Sequence, residues 1–104
     1  MANERRMELQ NKLEELLGSR NVYYQPPESI NMKYDAIIYS LGVPEERYAN
    51  NKRYMSMSCY DLIVISVRPD PDIVDLILES FQYTSPGKPY VAANLNHYPI
   101  KLYY

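Results

Sequence analysis

RYMSMSCYDLIVISV, residues 53–67, contains neither Gly nor Pro, and its reading decides how the rest of the chain is arranged. Tyr54, Cys59, Tyr60, Ile63, Val64, Ile65 and Val67 favour a pleated strand, where branched and aromatic side chains pack against their neighbours. The second half, residues 62–67, is almost continuously apolar, the pattern of a strand covered on both faces. The first half mixes polar and apolar residues, as a strand near water does. At ~3.3 Å per residue the whole stretch spans roughly 50 Å, whereas a mean strand holds about 5–6 residues. It therefore reads as a core strand whose leading half is the return arm of an extended hairpin.

The outgoing half of that hairpin is YDAIIYSL, residues 34–41. Gly42, Pro44 and the charged run Glu45, Glu46 and Arg47 end it, and Asn50 and Asn51 suit a turn. A loop of roughly ten residues separates the two strands, against about two to five in an ordinary hairpin. Upstream, NVYYQ (residues 21–25) reads as a short strand stopped by Pro26 and Pro27, which supply no backbone donors. Residues 28–33 are a connector of open form. Residues 3–17 read as a helix, with Leu9, Leu13, Leu16 and Leu17 in one apolar stripe. Glu8 and Lys12 are spaced to pair across one turn of it. Gly18 follows the last leucine and suits a left-handed cap.

Downstream, RPDP (residues 68–71) ends the long strand and starts a second helix. Asp70 suits the N-cap and Pro71 the first helical position. Asp72 and Asp75 sit at the positive end of its dipole. Ile73, Val74, Leu76, Ile77, Leu78 and Phe81 form a face so broad that almost all of it must be covered. SPGKP (residues 85–89) is a turn. Residues 90–95 and 98–104 are the last strands, with Asn94, Asn96 and Pro99 marking a bend or bulge between them. Tyr98, Ile100, Leu102 and Tyr104 share one face of the final strand; Lys101 and Tyr103 share the other. The expected fold is α+β. A mainly antiparallel sheet of four to five strands carries both helices on one face and a long protruding hairpin. Residues 1–104 form a single domain.

Bulk properties bound the function loosely. A chain of 104 residues can bury roughly two-thirds of its unfolded surface without a disulfide or a metal. Cys59 is the one cysteine, so no intramolecular disulfide forms and a reducing compartment is expected. No apolar run approaches the ~18 residues of a membrane helix. The leading MANERRMELQ lacks the apolar core of a signal peptide. Eleven basic and thirteen acidic residues give a net charge of −2, which speaks against a dedicated nucleic-acid binder with its usual basic patch. Twelve tyrosines, one phenylalanine and no tryptophan fit half-buried strand positions, and tyrosine is also enriched at protein interfaces.

A catalytic constellation does not emerge. His97, the one histidine, sits among asparagines and reads as structural. Cys59 lies within a strand, where a buried thiol is inert. Asp70 and Asp72 resemble a carboxylate pair, yet a helix start explains them. The three glycines form no phosphate-cradling loop. Asp61 is the one oddity, a carboxylate between Tyr60 and Leu62 that faces solvent, pairs with an arginine, or meets a basic neighbour in an assembly. No cofactor and no metal are expected.

LLGSRNVYYQPPESINMKYDAIIY from Leu16, YANNKRY from Tyr48, RPDPDIVDLIL from Arg68 and YVAANLNHYPIKLYY from Tyr90 together cover nearly the whole chain. These stretches resemble the tail terminator, or tail completion, proteins of long-tailed siphophages, also described as minor tail or head–tail joining proteins. NVYYQPPES and ANLNH are the most specific, since neither follows from generic strand or turn chemistry. The chain departs from the pattern at Asp35, where proline is common, and at Asn50 and Ala93, where acids are common. The resemblance implies a non-enzymatic virion protein of the neck, assembled in the host bacterial cytoplasm. It implies a homo-oligomeric ring, a hexamer in most members, at the head-proximal end of the tail tube. Its partners would be the tail tube protein and the head-closure or connector protein. DNA would pass through the lumen without specific binding, and no membrane is involved. The alternatives are another neck component, namely a head-closure or tail-assembly protein, and a small DNA-binding domain. Arg53, Tyr54, Met55, Met57 and Asp61, in the outer half of the long strand, are the candidate subunit-interface residues.

Overall fold

The computed structural model describes residues 2–27, 31–43 and 57–104. Two helices and six strands follow the order α1 (Ala2–Leu17), β1 (Val22–Tyr24), β2 (Ala36–Leu41), β3 (Cys59–Ser66), α2 (Asp72–Ser80), β4 (Tyr83–Pro86), β5 (Tyr90–Ala92) and β6 (Leu95–Tyr103). The strands form one sheet in the order β1-β2-β3-β6-β4, with β5 also paired to β6. The architecture is α+β with a mixed, mostly antiparallel sheet, and both helices cover the same face.

Period-two alternation puts that face together. Ile37 lies opposite Val64, and Tyr39 opposite Leu62. Leu62 lies opposite Ile100, and Tyr60 opposite Leu102. All are buried, and Leu9 and Leu13 of α1 with Ile73 and Ile77 of α2 close over them. The expected alternation in the last strand holds, with Ile100 and Leu102 facing the helices.

Several expectations are corrected. The sheet has six strands, not four to five, and β1 runs parallel to β2. Pro26 and Pro27 follow β1; with fixed φ and no donors, they carry the chain onward instead of folding it back as a hairpin. Among the described residues the long strand is regular from Cys59 to Ser66. Val67 lies beyond it and is 64% exposed. The β2–β3 connection occupies residues 42–58, and the expected protruding hairpin falls mostly in residues 44–56, outside the described residues. In α2 the N-cap is Pro71, without a side-chain capping bond, so Asp70 does not cap it. Leu76 is 40% exposed, because Ile73 and Ile77 already fill the inner face. Phe81 is buried, but as the residue after the helix.

The expected bend at Asn94–Pro99 resolves into a tight turn and an unbroken strand. Ala93 and Asn94 have φ of 52° and 61°, the left-handed pair that a two-residue hairpin with strand-matching twist demands. Pro99 sits inside β6, a strand paired on both sides, where proline is normally excluded. Its carbonyl accepts from the Gly87 N–H at 2.8 Å. The ring nitrogen faces the same neighbour and supplies no return donor, and the regular pairing of β4 ends next to it, at Pro86 opposite Ile100. Gly18, at φ 80°, caps α1 as expected and donates to the Glu14 carbonyl at 2.8 Å.

Polar contacts fasten α1 to the sheet. The Tyr39 hydroxyl donates to Gln10 Oε1 at 2.5 Å, and Gln10 Nε2 donates to the Val22 carbonyl at 2.9 Å. The Arg6 guanidinium lies 4.3 Å from the centre of the Tyr24 ring, which packs 4.9 Å from Tyr39. Burial raises the Tyr39 pKa from its ordinary 10.0, with Arg6 opposing it. The folded state thus holds this proton more tightly than the unfolded state. The resulting stabilisation is complete below pH 10.0 and is lost as pH rises through the folded-state value. Melting temperature should therefore fall as pH climbs above about 10, and less steeply in Tyr39→Phe. At neutral pH the same substitution strands Gln10 Oε1 and should cost about 1–2 kcal/mol in urea unfolding.

Candidate functional site

The region of interest is the root of the β2–β3 connection, where the proposed arm leaves the domain. The two strands keep pairing at its base. The Gly42 N–H donates to the Cys59 carbonyl at 2.9 Å, and Ser58 exchanges two backbone bonds of 3.0 Å with Tyr104. The ladder thus runs one residue past each strand end, fixing where the connection starts and returns. Leu41 is 59% exposed and Val43 is 78% exposed at this root. Met57, just ahead of β3, is half-buried and lines a groove with Arg5, Phe81, Tyr103 and Tyr104. An apolar pair left this exposed at the end of β2 adds nothing to the core of the single chain.

Asp61 is directly opposite Lys101 across β3 and β6, on the face away from the helices. Its carboxylate is 3.7 Å from Lys101 Nζ, so the partner is a lysine and not the arginine that the sequence suggested. With 52% of the aspartate side chain exposed, the pair is worth only about 0–1 kcal/mol. Its value is positional. Lys101 Nζ also donates to the Val43 carbonyl at 2.7 Å, tying the first residues of the connection to β6. A β-carbon at Gly42 would fall 2.8 Å from the Asp61 carboxylate, so a larger residue there would have to swing that side chain away from Lys101.

Of the five predicted interface residues, the structure places Met57 and Asp61 at this root. Arg53, Tyr54 and Met55 lie outside the described residues. Leu41 and Val43 belong to the same surface and were not singled out from the sequence. The signal was present, since the β2 alternation runs straight into Gly42 and a branched residue beyond it.

Two grooves flank the domain. One of about 330 Å³ lies on the face away from the helices, between Asp61, Ile63, Pro86, Gly87, Pro99 and Lys101. The other, of about 400 Å³, lies between the end of α1 and the start of α2. In the second, Asp35 accepts from the Val67 N–H at 3.2 Å and sits 3.7 Å from the Arg68 guanidinium. Asn21 donates to the Asp35 carbonyl at 3.3 Å. Asp35 thus joins the starts of β1 and β2 to the end of β3. Both its oxygens are engaged, which suits a brace better than a base.

The remaining candidates are structural in their contacts. His97 Nδ1 is 3.0 Å from the Leu95 carbonyl, and the ring stacks on Tyr90 at 4.8 Å. The Cys59 thiol is buried. Among the described residues no group of three or more His, Cys, Asp or Glu side chains is placed to hold a metal ion. No described helix is long and apolar enough to cross a membrane. The chain matches no family model, no curated protein and no solved structure.

Proposed function

We propose that this chain is a non-enzymatic structural subunit of a phage tail that assembles as a ring, with six copies as in most of the family it resembles. The ring would end tube polymerisation at the head-proximal end and join the tail to the head connector, with DNA passing through its lumen. The reading starts from the resemblance across residues 16–39, 48–54, 68–78 and 90–104. The structural observation that supports it is the root of the connection, where Leu41 and Val43 are 59% and 78% exposed beside a hydrogen-bonded base. Ring subunits meet through unlike surfaces that close by rotation, and a projecting arm supplies one such surface.

Electron microscopy of the purified protein, alone and with tail tube protein, tests this. Rings are expected. Phage lacking the protein should make tails of uncontrolled length that fail to join heads. Normal tails on normal virions without it would sink the proposal. In a virion reconstruction, density above the last tube layer supports a terminator. Density elsewhere in the neck assigns the chain to head closure instead. A retarded band with duplex DNA at low salt, weakening steeply as salt rises, would favour the DNA-binding alternative.

A further inference from the structure

The helix α2 carries a charge pattern that its own fold does not use. Asp72, Asp75, Leu76 and Glu79 are all exposed. At 3.6 residues per turn they fall within an arc of about 100°, opposite the buried Ile73 and Ile77. The helix holds no basic residue. Among the described residues none of these carboxylates has an ion pair or a side-chain hydrogen bond. Asp72 and Asp75 gain from the helix dipole at the N-terminal turn. Glu79 sits in the last turn, where the dipole opposes it, and it repels Asp75 at i, i+4. Leu76 lies in the middle of this stripe with 40% of its surface in water.

The complementary surface is on the same chain. From residue 80 to residue 104 the sequence contains no Asp or Glu but does contain Lys88, Lys101 and His97. Lys101 is engaged by Asp61 and Val43. Lys88 is exposed in the β4–β5 corner and has no partner among the described residues. Close after it, Tyr90 is 46% exposed and Val91 is 70% exposed. One surface is acidic around an apolar leucine; the other is basic beside an apolar valine and tyrosine.

We infer that the outer stripe of α2 receives the β4–β5 corner of a second copy of this chain. Lys88 sets its ammonium among Asp72 and Asp75, while Val91, the most exposed large apolar residue of β5, covers Leu76. The surfaces are unlike, so the contact is head-to-tail and propagates around a ring. The inference rests on the ring reading and names one of the contacts that would close it. DNA is excluded as the occupant of the stripe, because phosphates and carboxylates repel.

The test is a charge exchange on the full chain, read by sedimentation velocity and mass photometry. Lys88→Glu alone, and Asp72→Lys with Asp75→Lys, should each raise the dissociation constant of assembly at least tenfold. All three substitutions together should bring it back to within about threefold of wild type. Lys88→Glu should keep the wild-type melting temperature, since that side chain is exposed, whereas Asp72→Lys with Asp75→Lys gives up two favourable helix-dipole contacts and should lower it by a few degrees without unfolding the chain at assay temperature. As a second measurement, a Leu76→Cys, Val91→Cys chain should give covalent multimers on oxidation. If wild type forms rings, and these variants assemble like it without rescue or cross-linking, the contact is overturned and the ring reading stands. A wild-type chain that stays monomeric at every concentration overturns both.

Discussion

Leu62→Ala should lower the free energy of unfolding by about 2–5 kcal/mol, measured by urea denaturation. Leu62 is 1% exposed at the centre of the sheet. It is opposite Tyr39 on one side and Ile100 on the other, beneath the two helices. Removing a buried leucine forfeits its transfer free energy and leaves a cavity, whose cost depends on how far the surroundings collapse. Collapse is restricted here, because β3 is hydrogen-bonded along both edges and the helix above is fastened through Tyr39 and Gln10. A domain of this kind has a total stability of about 5–15 kcal/mol, so the variant should be partly unfolded at 37 °C or close to it. Val91→Ala, on an exposed three-residue strand, should stay within about 0.5 kcal/mol of wild type. A loss below about 1 kcal/mol for Leu62→Ala would contradict its place at the centre of a close-packed core.

Tyr54→Ser together with Met55→Ser should leave the unfolding transition where it is and disable ring assembly. The two ladder extensions at the root, Gly42 to Cys59 and Ser58 to Tyr104, hold the domain independently of these side chains. In the partly polar half of the stretch a single chain gains little from a tyrosine and a methionine. At an interface such anchors are worth roughly 2 kcal/mol each, which together amounts to close to a thousandfold in dissociation constant, at about 1.4 kcal/mol per tenfold. Rings counted in micrographs at matched concentration, beside thermal melts of the same samples, separate the two effects. Assembly at wild-type concentration with an unchanged melt would remove these residues from the interface. A lowered melting temperature would instead place them in the core of the single chain.

The elements that sequence periodicity located are those whose pattern is local. Leu9 and Leu13 marked α1, Gly18 marked its end, and alternating Ile100 and Leu102 marked the inner face of β6. The misses came from partners distant in the chain. Strand β4 was read as part of a turn, since Thr84 and Ser85 carry no apolar alternation and gain their ladder only from β6. The parallel pairing of β1 with β2 has no signature in three residues. Pro99 looked like a strand breaker until the end of the β4 pairing beside it was visible. At the candidate interface, Asp61 was conspicuous as a charge in an apolar run, but the residue opposite it could not be known. Lys101 is forty positions away and is brought there by β-sheet register alone.

What the sequence determined by itself is the α+β class, the two helices and the apolar centre of β3, because each follows from a repeat of 3.6 or 2 residues along the chain. What only the tertiary structure decided is which side chains remain in water once those elements close. Leu76 looked like core and is left outside, because Ile73 and Ile77 already fill the inner face of α2. Leu41, Val43 and Val91 stay exposed because β2 ends and β5 sits at an edge. Burial is shared out among elements that meet in space, and a surface available to a partner is what remains after that sharing.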